Sequence, residues 1–125
     1  MKLSPPQYRP CIIYAIQGSE GGPVKLGRCC EGALEDRIAT LQVGNPNFLR
    51  ARETVSAQWL HEGRLRDEVR SHWIRGEWHQ ALALIRFREL IASGFFAPVD
   101  VPEEAKRMLA EYLRACALRR NRRAA

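Results

Sequence analysis

The chain has no apolar run approaching the roughly 18 residues that a membrane span requires. Its first residues, Met1-Lys2-Leu3-Ser4-Pro5-Pro6, lack the apolar centre of a secretory signal. A cytoplasmic protein without a membrane partner is expected. Cysteine is sparse: Cys11, Cys29, Cys30 and Cys116 form no CxxC pair and have no zinc-finger register with histidine. That pattern argues against a zinc module or a disulfide framework, and the thiols read as reduced structural groups. Internal repeats and interdomain linkers are missing as well. Acid is short relative to base, with 20 Lys and Arg against 14 Asp and Glu, a net charge of +6. Such a surplus suits a polyanionic partner, because each neutralised phosphate releases a counterion.

What is present fits one domain. A chain of 125 residues with 46% hydrophobic side chains can bury its own core without staples. Residues 1 to 10 read as an extended, Pro-rich lead-in. Cys11-Ile12-Ile13-Tyr14-Ala15-Ile16 has the β-branched and aromatic character of a buried strand, and Val24 to Cys29 alternates as a half-buried strand does. The glycine-rich turn between them predicts a hairpin. Leu34, Ile38 and Leu41 line one face of a helix over Ala33–Gln42, which Gly44-Asn45-Pro46-Asn47 ends. A third strand is predicted over Phe48–Val55. Ser56 then reads as the N-cap of a helix reaching Trp73, with Trp59, Leu65, Val69 and Trp73 on one side.

Gly76-Glu77-Trp78 reads as punctuation before a helix over Gln80–Ala92 that turns Leu84, Phe87, Leu90 and Ile91 inward. A last helix carries Ala105, Met108, Leu109, Tyr112, Leu113 and Cys116 on one stripe. The expectation is an α+β fold, a small three-stranded antiparallel sheet flanked by helices in the order ββαβααα. The expected division is a lead-in at 1–10, a domain at 11–94, a packed helix at 95–118 and a basic tail at 119–125. The tail holds Arg119, Arg120, Arg122 and Arg123 and no acid, so it is either a solvated terminus or a phosphate contact.

Two charges break the amphipathic pattern. Arg37 projects from the side of its helix that carries Leu34 and Leu41, and Glu62 lies three residues after Trp59 and three before Leu65. A charge on an inward face must pair, bind an ion or line a polar cavity. One reading is a structural Arg37–Glu62 salt bridge. The other gives Arg37 a phosphate and Glu62 a hard cation.

The motifs around these two residues resemble the GIY-YIG endonuclease superfamily. Ile13-Tyr14-Ala15-Ile16 is similar to the first motif strand, and Val24-Lys25-Leu26-Gly27 to the second in a Lys-[Ile/Leu]-Gly form found in small bacterial and phage domains. Leu34-Glu35-Asp36-Arg37-Ile38 followed by Leu41-Gln42-Val43-Gly44-Asn45-Pro46 continues the match. It closes with Glu62, fourteen residues ahead of Gly76-Glu77-Trp78. The resemblance covers residues 11 to 79 and implies a metal-dependent endonuclease that hydrolyses DNA, with RNA not excluded as a substrate. It implies Tyr14 as part of the general base, Lys25 beside it, Arg37 on the phosphate, and Glu62 on a single Mg²⁺ or Mn²⁺. Arg66 stands where this branch often has histidine, and His79 where an aromatic is common. The alternative is therefore a weakly active or inactive nucleic-acid-binding module of the same fold.

Arg28 and Arg66 join the four tail arginines as nucleic-acid-binding candidates. His61, His72 and His79 lack metal-ligand register and read as surface histidines. Trp59, Trp73 and Trp78 fall at packing positions and read as core, with base stacking the other option. Monomer and homodimer are both compatible with the pattern.

Overall fold

A computed structural model describes residues 3–124, and of residues 120, 123 and 124 the backbone alone. The lead-in is not extended. Pro5–Tyr8 forms a 3-10 turn, for which two successive prolines are preset because φ is already helical and their missing N–H groups have no role in a first turn. Strands β1 (Pro10–Gly18) and β2 (Gly21–Cys29) then form an antiparallel hairpin, in register from Ile12 opposite Cys29 to Gln17 opposite Val24, with a shift before Gly18 opposite Gly21. Gly21 and Gly22 both take φ near +87°, a region that L side chains avoid, which is why the turn needs glycine there.

Helix α1 (Leu34–Gln42) lies over one face of this hairpin. Strand β3 (Leu49–Gln58) pairs with the other side of β1, from Pro10 opposite Gln58 to Gly18 opposite Leu49, with a shift between Ala15 and Ile16. Helix α2 (Leu60–Glu68) and a 3-10 turn at Arg70–His72 follow, and then the short hairpin of β4 (Trp73–Arg75) and β5 (Trp78–His79). The chain ends with α3 (Leu82–Ala92) and α4 (Glu103–Ala124). The fold is α+β with five antiparallel strands in the order β3-β1-β2-β5-β4 and four helices.

Five strands replace the expected three, and the order is ββαβαββαα rather than ββαβααα. Two local features account for this. Ser56 caps nothing: it sits inside β3 opposite Ile12, and the strand continues to Gln58. The Gln58 side chain accepts from the Val99 N–H at 2.7 Å and donates to the Val99 and Tyr8 carbonyls at 2.9 and 3.3 Å, which locks the strand's last residue into the fold. In the second place, α2 stops at Glu68, because Gly76 with φ +54° turns the following segment into a hairpin instead. That hairpin attaches to β2 through Val24 opposite His79 and Lys25 opposite Trp78. Trp73, expected in the core on a helix, is instead a strand residue 55% exposed.

Strand β1 separates two apolar layers. Cys11, Ile13 and Ala15 face Leu65, Val69, Leu84, Phe87, Leu90 and Phe96 from α2, α3 and the turn after α3. Tyr14 and Ile16 face the other way, against Cys29, Leu49 and the Leu34, Ile38 and Leu41 stripe of α1. A smaller cluster of Tyr8, Leu60, Ala105 and Leu109 seats α4 on the amino-terminal turn. Met108, expected on that stripe, is 58% exposed. The basic segment is not a separate tail, since the backbone of α4 stays helical to Ala124. No helix among the described residues is long and apolar enough to cross a membrane.

Phe87 is fully buried at the centre of the larger layer, whereas Val43 is 83% exposed. Phe87→Ala is expected to cost about 3–5 kcal/mol in denaturant unfolding through loss of transfer energy and a cavity. Val43→Ala is expected to stay within about 0.5 kcal/mol of the parent.

Candidate active site

Tyr14 and Gly27 are cross-strand partners on β1 and β2. Tyr14 is 1% exposed, and its phenol lies across the glycine. A Cβ on Gly27 would sit 2.7 Å from the Tyr14 hydroxyl and 2.9 Å from Glu77 Oε2. Close approach, not backbone conformation, is what requires glycine there. The same carboxylate oxygen of Glu77 lies 3.1 Å from Lys25 Nζ. A phenol, a carboxylate and an ammonium therefore gather over a strand position with no side chain.

Beside this group opens a cleft of about 300 Å³ lined by Arg28, Cys29, Cys30, Arg37, Trp59, Glu62 and Glu77. Each wall has a separate origin. Strand β2 supplies Arg28 and Cys29, α1 supplies Arg37, α2 supplies Glu62, and the turn between β4 and β5 supplies Glu77. Glu62 Oε1 accepts from Arg28 Nη1 and from Arg66 Nη2, both at 3.3 Å. The Arg28 guanidinium lies 4.0 Å from the centre of the Trp59 ring, which holds it beside that carboxylate. The same indole receives Arg9, which is buried and donates to Cys30 Sγ at 3.0 Å. Four cysteines are free.

The expected alternative of an Arg37–Glu62 salt bridge does not form. Glu62 pairs with Arg28 and Arg66, and Arg37 is an exposed side chain with no ion pair among the described residues. Arg37 is thus not buried with the apolar stripe of α1 but stands at its edge, over the cleft. Its charge reaches Tyr14 and Cys29, where it opposes the effects of burial. Burial first, and the Glu77 carboxylate second, push the Tyr14 phenol up to about 12. The group is a protonated phenol at neutral pH.

All six candidates in the body of the fold, Tyr14, Lys25, Arg28, Arg37, Glu62 and Arg66, come together at or beside this cleft. The arginines of α4 do not line it among the described residues. Arg119 and Arg122 are exposed on that helix, and the side chains of Arg120 and Arg123 lie outside the described ones. Glu77 escaped the sequence reading because an acid in a turn has no periodicity to betray it. Its one available signal was adjacency to Trp78, within the three-residue motif that read as punctuation.

Two histidines were also misassigned to the surface. His61 is fully buried and accepts the Gln58 N–H at Nδ1, 2.9 Å away. His79 is 2% exposed, with Nδ1 2.9 Å from the Glu77 carbonyl and Nε2 without a hydrogen-bond partner among the described residues, and it lines a small pocket together with Glu62, Arg66 and Glu77. Burial pulls both rings below the usual histidine range and keeps them neutral.

No group of three or more His, Cys, Asp or Glu among the described residues is arranged to hold a metal ion. The donor set fits only an ion that retains its waters. Glu62 Oε1 is occupied by two guanidiniums, and Oε2 takes no hydrogen bond among the described residues. A magnesium-like cation carried by one carboxylate, water and substrate phosphate meets that description, whereas a fully protein-ligated zinc or calcium does not. Compared with known proteins, the chain matches no protein family, no curated sequence and no solved structure.

Gly27→Ala is expected to destabilise the fold by about 1–3 kcal/mol, because the new methyl overlaps the Tyr14 ring and the Glu77 carboxylate. Adding Tyr14→Phe, which removes the nearer oxygen, should recover part of that loss in urea unfolding. The lowered acidities of Cys11 and Tyr14 in the folded chain set a pH dependence. Unfolded Cys11 and Tyr14 ionise near 9 and 10, while the folded groups hold their protons to about 11 and 12. Their contribution to stability is complete below pH 9 and falls as pH rises through that window, since only the unfolded chain gives up protons there. Tyr14→Phe should flatten the decline between pH 10 and 12, as followed by thermal melts.

Proposed function

We propose that this chain is a metal-dependent endonuclease that hydrolyses DNA phosphodiester bonds, with RNA as the second substrate to test. The observation that carries the reading is the meeting of Tyr14, Lys25, Arg37 and Glu62, from four different elements, around one polar cleft. The likeness of their motifs to the GIY-YIG nucleases supports the same conclusion. So does the surplus of positive charge, with Arg28, Arg37 and Arg66 at the cleft.

In the proposed reaction, water oxygen bonds to phosphorus, the ester P–O bond breaks, and a proton leaves the water. A cation on Glu62 would neutralise phosphate charge and favour departure of the leaving oxygen. Arg37 is free of carboxylates among the described residues and would hold a non-bridging oxygen through charge-assisted hydrogen bonds as charge builds there. A protonated Tyr14 cannot take a proton outright. Its phenol would pass its own proton toward the Glu77 carboxylate while accepting one from water, and Lys25 would steady the charge on Glu77. Arg28 and Arg66 would hold Glu62 in place until a phosphate and its cation arrive.

A second reading, a nucleic-acid-binding module with little or no turnover, is favoured by the two guanidiniums already on Glu62 and by the weakened acidity of Tyr14, whose phenol holds its proton to about 12. Labelled single-stranded, duplex and branched DNA, and matching RNA, incubated with Mg²⁺, with Mn²⁺ and with EDTA, separates the two. The nuclease cuts only with metal, and Glu62→Ala lowers the rate by at least about a hundredfold. Tight binding without cleavage in either metal establishes the binding module instead.

A further inference from the structure

A second cavity, of about 310 Å³, opens at the hairpin end of the same sheet and takes no part in the chemistry above. Leu49 is buried at its base, and Gly18, Gly21 and Pro23 of the first hairpin border it with no polar side chain. Ile74 and Trp78 enter from the second hairpin, the former 44% exposed despite being apolar. Polar groups are few: the amides of Asn45 and Asn47 and the guanidinium of Arg75. Asn45 Oδ1 accepts the Asn47 N–H at 2.9 Å, which fixes the loop and leaves Asn45 Nδ2 without a partner among the described residues. The Asn47 side-chain amide and the Arg75 guanidinium are likewise unpartnered among the described residues.

The volume is at the small end of the roughly 300–1,000 Å³ of ligand pockets, which suits one ring system rather than an extended molecule. A flat indole, aliphatic walls and amides with both donor and acceptor atoms match the face and edge of a nucleobase. The position matters as much as the lining. Trp78 follows Glu77 in the chain, and Lys25 touches both, at 3.1 Å from Glu77 Oε2 and 5.6 Å from the Trp78 ring centre. Adjacent residues of one short hairpin thus wall the two openings, Trp78 the pocket and Glu77 the cleft, and Lys25 bridges the pair, a cation between the place of a phosphate and the place of a ring.

We propose that this pocket receives an unstacked nucleobase of the strand whose phosphate lies in the cleft, a subsite that rests on the nucleic-acid reading above. The base packs against Trp78, its edge meets Asn45 and Asn47, and Lys25 and Arg75 take flanking phosphates. The pocket contributes to binding through the base, whereas the cleft contributes through the phosphodiester.

Binding of single strands of about eight nucleotides in EDTA, where no cutting occurs, tests this, since site sizes for such strands run from about 4 to 16 nucleotides. Oligothymidylate is compared with an abasic strand of equal length and charge. The parent protein is expected to prefer the strand with bases by about five- to hundredfold, the range that stacking on an aromatic side chain supplies. Trp78→Ala abolishes the preference, Trp78→Phe keeps most of it, and Asn47→Ala, at an exposed side chain, reduces it without touching the packing. The salt dependence stays the same for both strands, because it counts phosphates. Equal affinity for the two strands, or a preference that survives Trp78→Ala, overturns the subsite and leaves the phosphate-binding cleft standing. Failure to bind either strand overturns the nucleic-acid reading and the subsite with it.

Discussion

Strand β1 exchanges backbone hydrogen bonds with β2 on one side and β3 on the other, and apolar layers cover both of its faces. A strand placed so can carry polar chemistry only where a side chain reaches past its own layer. Tyr14 does this. Its ring is part of the α1 layer, and its hydroxyl emerges over the bare backbone of Gly27 toward Glu77. Register then determines everything else at the site. A slip of one residue would turn Tyr14 into the α2–α3 layer and put Ile13 or Ala15 under the cleft. The length of the pairing on both sides is what prevents the slip, so the site inherits its precision from the sheet.

Charge at the cleft is arranged by aromatic surfaces as much as by countercharges. Trp59 bears the Arg9 and Arg28 guanidiniums, and Trp78 bears Lys25. Each indole holds a cation beside a carboxylate, Glu62 in one case and Glu77 in the other. A cation over a ring keeps part of its stabilisation when its carboxylate turns to another partner. Arg37 differs from the others. Among the described residues it has neither ring nor carboxylate, and it is the guanidinium at the cleft most ready to take an oxyanion.

The parts of this arrangement that sequence made legible are those with periodicity or a strong local preference. Ile12 to Ile16, the Leu34–Ile38–Leu41 stripe and the Leu84–Phe87–Leu90 stripe each announce their element and its buried side. The anomalous positions of Arg37 and Glu62 drew attention to the cleft, although their partners did not follow from spacing, since which arginine reaches Glu62 depends on how α2 crosses β2. The hairpin of β4 and β5 was hidden for a physical reason. Strands of three and two residues are too short to display alternation; they pair with each other, and β5 pairs further with β2, whose partner residues Val24 and Lys25 lie more than fifty positions before His79 and Trp78. Glu77, Trp78 and His79 all sit on it. His61 and His79 were invisible as interior groups because histidine is at home on either side of a protein surface.

The outer strands of the sheet are unlike the middle one. On one border β3 departs from even pairing opposite Ala15 and Ile16 and carries Arg50, Arg52 and Glu53 nearby. On the other, β4 spans three residues and ends in Arg75. An unpaired strand is a template for another chain when it is long, flat and uncharged. Neither border meets that description: one is kinked and charged, the other too short to add a ladder. A protein that keeps its most β-prone sequence, Cys11 to Ile16, sealed between such margins is guarded against growing by strand addition into aggregates.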